Sequence, residues 1–239
     1  MNVSLEETVV STIEQKLVRV VYQPIVDLKD GRIFAHEALC RPASDFFHGP
    51  LELFAAAIKT GHVGRLGRLL RHMAVDGCPN VPLFLNLHPG EFGEGWLVRP
   101  DDAIFNHDHQ VYLEITESAP ISHYEFCHSV LDEIRSKGVL LVVDDLGAGY
   151  SNLKYIADLA PAVVKLDREL VMGLVKDSRL FTLCSGLVRL CNDLGARVVC
   201  EGIETAEELE AVIATGAHFG QGYYLARPSL PAPEVTWKP

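Results

Sequence analysis

An α/β barrel of the (β/α)8 type, a parallel sheet closed on itself and entered through an irregular antiparallel hairpin, is the fold these 239 residues predict. Three observations predict it. About eight short apolar runs, many of them β-branched, alternate with stretches of helical periodicity. Polar residues recur where those runs end, and the length suits one large α/β domain. A single domain over residues 1–239 is therefore expected.

Residues 1–16 set Val9 and Ile13 a helical turn apart, with Leu17 next and Glu6 and Glu7 at the start, which predicts a short amphipathic helix. Val18 to Leu28 reads as a strand, Lys29-Asp30-Gly31 as a turn, and Arg32 to Leu39 as the returning strand. Strands joined so tightly must run antiparallel. From Leu51 to Val75 the residues Leu53, Phe54, Ala57, Ile58, Leu66, Leu69, Leu70 and Met73 keep helical spacing, broken near Gly61-His62 and Gly64, so two helices are expected. After the loop Gly77-Cys78-Pro79-Asn80, Val81 to Leu87 is a strand containing Asn86. The alternation then becomes regular. Strands are read at Gln110 to Thr116, Val139 to Asp145, Ala162 to Leu166, Arg197 to Cys200 and Phe219 to Leu225. Helices are read at Tyr124 to Lys137, Leu153 to Ala160, Arg179 to Leu194 and Ala206 to Thr215, and a Pro-rich tail follows the last strand.

Composition excludes several classes. A net charge of −11 argues against a surface for DNA or RNA polymers, which needs a basic face. No apolar run approaches the ~18–20 residues of a membrane helix, and MNVSLEETVV lacks the pattern of an export signal, so a cytoplasmic protein is expected. Cys40, Cys78, Cys127, Cys184, Cys191 and Cys200 form no C-x-x-C pair and are expected to be reduced. His107-Asp108-His109 lacks companion ligands at metal-site spacing and reads as a loop.

Chemistry gathers at the strand ends. In VVDDLGAGYSNL a buried strand delivers Asp144 and Asp145 side by side, ahead of Gly147 and Gly149. Adjacent acids repel, and a divalent cation is the economical remedy, although a solvated turn is the competing reading. Glu37, Asn86, Glu114, Lys165, Glu201 and Gln221 occupy the other strand ends. Taken singly, each has a bland explanation as a turn, a cap or a solvated end. Their recurrence at successive ends favours a shared site in which one lysine cannot neutralise five carboxylates. An all-oxygen ligand set suits Mg2+ or Mn2+, and neighbouring aspartates let one carboxylate bridge two ions, as two-metal phosphoester chemistry requires.

The motifs themselves are specific. Tyr22-Gln23-Pro24-Ile25 with Glu37-Ala38-Leu39-Cys40-Arg41-Pro42 resembles the signature of EAL domains, phosphodiesterases of the bacterial second messenger cyclic di-GMP. LNLHP at Asn86, LEITES at Glu114 and Glu117, DDLGAGYSNL, VKLD at Lys165, CEGIET at Glu201 and QGYYLARP at Gln221 follow in the family's order, so that the motifs span about residues 20–228. The resemblance implies a modified TIM-type barrel that hydrolyses cyclic di-GMP to linear pGpG, with two metal ions activating water. Glu37, Asn86, Glu114 and Asp144 would hold one ion, and Asp144, Asp145 and Glu201 the second. Glu37, Lys165 and Glu201 would carry the catalysis, with Lys165 positioning the attacking water. Gln23, Leu39, Arg41 and Gln221 would contact the dinucleotide, Glu117 would brace the loop after Asp145, and the protein would act as a homodimer. Departures from the family pattern are Leu146 and Ala148 in the loop, His88 after the Asn motif, and AAAIKTG in the helix after the first motif. None removes a metal ligand. Ala148 deletes a loop hydroxyl, so the alternative is a cyclic di-GMP receptor of the same fold with weak turnover.

Overall fold

The computed structural model describes residues 4–78, 80–94, 97–116, 124–148 and 153–238. Helix α1, Leu5–Glu14, begins where Ser4 accepts the Glu7 N–H and Glu7 reaches back to the Ser4 N–H, a reciprocal cap. Strands β1, Val18–Asp27, and β2, Ile33–Pro42, form the expected antiparallel hairpin with Gln23 opposite Glu37. Helices α2, Pro50–Lys59, and α3, Val63–Gly77, are separated at the break expected near Gly61. There follow β3 (Leu83–Asn86), a short 3₁₀ helix at Pro89–Glu94, another at Ala103–Phe105, and β4 (Val111–Thr116). The remaining pairs are α4 (Tyr124–Ser136) and β5 (Leu140–Leu146), then α5 (Lys154–Leu159) and β6 (Val163–Leu166). After them come α6 (Arg168–Val171), α7 (Arg179–Asp193), β7 (Arg197–Cys200), α8 (Ala206–Thr215) and β8 (Phe219–Gly220).

The eight strands close in sequence order into a barrel. Strands β2 to β8 are mutually parallel, whereas β1 is antiparallel to β2 and also to β8, through Val26 and Asp27. Expected strand Phe219 to Leu225 shrinks to two residues. At Gly222 the chain turns directly onto the Ile203 backbone, where an added Cβ would lie 2.1 Å from the Ile203 carbonyl oxygen. That contact admits only glycine. The ladder against β1 resumes at Ser229, which exchanges both backbone hydrogen bonds with Tyr22.

Inside the barrel, alternate residues face the axis. One layer is apolar, made of Ile25, Ala35, Phe84, Tyr112, Val142, Val163, Val199 and Phe219, one from each strand. Arg197 caps its lower end, stacking over the Phe34 and Phe219 rings and donating to the Tyr112 hydroxyl at 3.1 Å. Two residues along each strand from that layer stand Gln23, Glu37, Asn86, Glu114, Asp144, Lys165, Glu201 and Gln221. On β1 the step runs backwards, from Ile25 to Gln23, because that strand alone is inverted. The polar layer is thus set by pleat period as much as by strand ends. Glu37 in particular lies in the middle of β2 rather than at its terminus.

His107 Nδ1 accepts the His109 N–H while Nε2 bonds the Cys78 carbonyl, so both ring nitrogens are used within the loop. Cys40, Cys78, Cys184, Cys191 and Cys200 are free thiols, and the Cys127 side chain lies outside the described residues. Among the described residues no helix is long and apolar enough to cross a membrane.

Candidate metal centre

Lys165 stands at the middle of the polar layer. Its Nζ lies 2.7 Å from Glu114 Oε1, 2.7 Å from Glu201 Oε1, 3.1 Å from Asp144 Oδ1 and 3.5 Å from Glu37 Oε2. Glu37 is the second hub. It accepts Gln221 Nε2 at 2.7 Å on one side and Asn86 Nδ2 at 3.4 Å on the other.

Asp145 reaches the same site by a local irregularity. Successive strand residues point to opposite faces, so Asp144 and Asp145 cannot both face inward from a regular ladder. The β5–β6 register shifts between Val143 and Leu146, and Asp145 adopts φ +59°. This bulge turns the second carboxylate inward. One oxygen each from Asp144, Asp145 and Glu201 then lie within 4.8 Å of one another. Gly147, next in the loop, has φ +108° and abuts Leu170, so a side chain there is excluded twice over.

Electrostatics follow from burial. Glu114 and Lys165 are 1 % exposed and Asp144 6 %, while the Glu201 side chain keeps 18 %. Burial, aided by the Glu37 charge, holds the Glu114 carboxyl well above its ordinary range, and burial likewise raises Asp144. Burial, with Asp144 alongside, pushes Asp145 up to about 6, and burial pushes Glu201 up to about 8. Burial draws Lys165 down, but Asp144, Glu114, Glu201 and Glu37 outweigh it and keep the ammonium well above its ordinary value. Five carboxylates thus share one cation, and buried Glu114 Oε2 accepts no hydrogen bond. A buried carboxylate oxygen without a donor is costly. Hard divalent ions fit this all-oxygen set.

Two clefts open from the centre and share Glu37 and Leu39 as a common wall. The larger, of about 430 Å³, is mostly apolar, with Leu51, Phe54 and Leu70 among its walls and Arg41, His88 and Asp144 as polar members. The smaller, of about 210 Å³, is lined by Gln23, Arg168, Glu201, Gln221 and Tyr223. All four expected dinucleotide contacts, Gln23, Leu39, Arg41 and Gln221, stand on these walls. Gln23 is engaged with the Ala226 carbonyl at 3.1 Å, and Arg41 donates to the Cys40 carbonyl at 2.8 Å. Glu117 lies outside the described residues. Sequence reasoning missed the support beneath the larger cleft, where buried Arg71 pairs with Glu91 and with Asp102 Oδ2 at 2.9 Å. Its partners are 20 and 31 residues away along the chain, beyond any local motif.

The EAL domain profile matches residues 6–228. Cyclic di-GMP phosphodiesterase PA2567 of Pseudomonas aeruginosa is 34 % identical over 233 residues, covering 91 % of this chain and 39 % of that protein. Cyclic di-GMP phosphodiesterase RocR of the same organism is 31 % identical, covering 87 % and 56 %. The chain therefore spans about two fifths to just over half of the length of these relatives. Among solved structures, the Klebsiella pneumoniae BlrP1 complex with calcium and cyclic di-GMP at pH 8.0 superposes with a TM-score of 0.79 at 30 % identity, over 92 % of this chain and 58 % of that one. The PaMucR phosphodiesterase complex with cyclic di-GMP matches with a TM-score of 0.79 at 28 % identity, over 94 % and 97 %. A barrel whose inner polar layer carries the expected carboxylates, matched by that profile along nearly its whole length, belongs to the EAL domain family.

Proposed function

We propose that this chain, as one EAL barrel over residues 1–239, hydrolyses cyclic di-GMP to linear pGpG, and that it does so as a cytoplasmic homodimer. The observation that carries the reading is the inner polar layer, five carboxylates around a single ammonium with a Glu114 oxygen left undonated. Glu37, Asn86, Glu114 and Asp144 would hold one Mg2+ or Mn2+ ion, and Asp144, Asp145 and Glu201 a second. When bound, two such ions supply the activated water and neutralise charge building on the phosphate. Lys165, kept protonated by its neighbours, is not a base at neutral pH. Its ammonium donates hydrogen bonds, fixing the water and offsetting phosphate charge. The paired clefts meeting at Glu37 and Leu39 suit a ligand of two similar halves, with its scissile phosphodiester over Glu37. Gln221 and Gln23 would contact one half, Arg41 the other, and Leu39 both.

The decisive assay incubates the purified chain with cyclic di-GMP and Mn2+ or Mg2+ and follows pGpG by chromatography. Product that disappears in EDTA is expected. Tight binding without product, at protein concentrations that favour dimers, would sink the enzyme and leave the receptor reading, for which Ala148 is the motivating departure.

The raised carboxyls give this site a pH signature. In the metal-free protein, Asp145 and Glu201 hold protons up to about pH 6 and 8, which the unfolded chain has already released near its ordinary carboxylate values. Their contribution to stability is thus complete below about pH 4 and is lost as pH rises through 6 and then 8. Cations compete for those same sites, so the gain in Tm from Mg2+ over EDTA should grow between pH 5 and 8.5. At a hundredfold excess over Kd the gain is about 2.7 kcal/mol, on the order of 5–10 °C. Taking the difference cancels the buried His36 and the half-buried His88 and His218, whose burial lowers them in both samples. A gain that shrinks with rising pH in thermal melts would contradict the assignment.

A further inference from the structure

His88 is a cleft residue that the proposed chemistry leaves unused. It follows Asn86 by two residues and lines the apolar 430 Å³ cleft. Its orientation is built from below. Arg71, Glu91 and Asp102, each no more than 2 % exposed, form the buried ion network, and Glu91 Oε1 accepts the His88 backbone N–H at 3.0 Å. The ring is fixed as well, because Nδ1 accepts the Gly90 N–H at 3.0 Å. With Nδ1 an acceptor, the ring proton resides on Nε2. That N–H meets no hydrogen-bond partner among the described residues. A buried triad of charges therefore ends in one oriented donor beside apolar walls formed by Leu70, Leu87 and Pro89. Apolar walls suit the faces of a nucleobase better than a phosphate, whose charge they cannot solvate.

We propose that His88 selects guanine in the larger cleft by donating its Nε2–H to O6 on the base edge, the acceptor that adenine lacks. Guanine presents two acceptors on that edge, whereas adenine replaces one with an amino donor, which would oppose the His88 N–H. This inference rests on cyclic di-GMP being the ligand.

The test is calorimetric binding of cyclic di-GMP and cyclic di-AMP to the full chain in Ca2+, with product formation checked by chromatography. One neutral hydrogen bond makes His88→Ala about three- to tenfold weaker for cyclic di-GMP, and the preference over cyclic di-AMP narrows by the same factor. His88→Gln, which restores an amide donor, should recover most of both and guards against misfolding of the alanine variant. An unchanged guanine preference in His88→Ala overturns the proposal while wild-type binding of cyclic di-GMP leaves the substrate reading standing. Absence of wild-type binding overturns both.

Discussion

Glu37→Gln is expected to lower kcat for cyclic di-GMP by at least about 10³-fold, with little change in Tm. That loss corresponds to roughly 4 kcal/mol of transition-state stabilisation, a size in keeping with removing a charged ligand from a two-ion centre. The small stability effect follows from the geometry. Glu37 accepts from both Gln221 Nε2 and Asn86 Nδ2, and an amide can accept from only one of them. One hydrogen bond is lost, worth about 1 kcal/mol. Against this, the metal-free cluster sheds one of five mutually repelling carboxylates, which offsets the loss. Steady-state turnover and a thermal melt in EDTA check the two halves. Turnover near wild type would show that Glu37 is no ligand, and collapse of the fold would show that it is structural.

Much of this site was open to reading, and the reason is periodic. In seven strands an apolar inward residue precedes the polar one by two: Ala35 and Glu37, Phe84 and Asn86, Tyr112 and Glu114, Val142 and Asp144, Val163 and Lys165, Val199 and Glu201, Phe219 and Gln221. Pleat period alone turns that pattern into a ring above a core. Strand ends were the rougher guide, which misplaced Glu37 and says nothing of why Gln23 joins the ring from an inverted strand. What stayed hidden depends on partners far along the chain. The antiparallel closure of β1 on β8 and the Arg71 network are tertiary facts with no local signature. Likewise, side-by-side aspartates in a regular strand would diverge, and only the bulge with Asp145 at φ +59° makes both usable. That conformation is uncommon outside glycine, though Asp is among the residues that tolerate it.

Lys165→Met should separate two roles that the metal-free structure superimposes. Methionine fills similar volume, so packing survives, but carboxylate oxygens of Glu114, Glu201, Asp144 and Glu37 that lay 2.7–3.5 Å from Nζ lose the cation they share. Breaking a buried ion pair from one side costs about 3–5 kcal/mol, on the order of 10 °C in Tm for a domain this size. The loss in EDTA should be largest near pH 8.5 and smaller at pH 5, because Asp145 and Glu201 take up protons through about 6 and 8 and the repulsion falls. Mn2+ restores charge balance and should return most of the lost Tm. It should not return turnover, which is expected to stay at least about 10²–10³-fold down, since a cation held by carboxylates does not replace a donor aimed at water and phosphate. Melts in EDTA and Mn2+ at both pH values, paired with pGpG formation, decide the matter. If Mn2+ rescued turnover together with Tm, Lys165 would be a structural counter-ion and its part in catalysis would fall. If the EDTA melt were unmoved at pH 8.5, the carboxylates would not be charged in the folded protein, and the repulsion that calls for metal would fall instead.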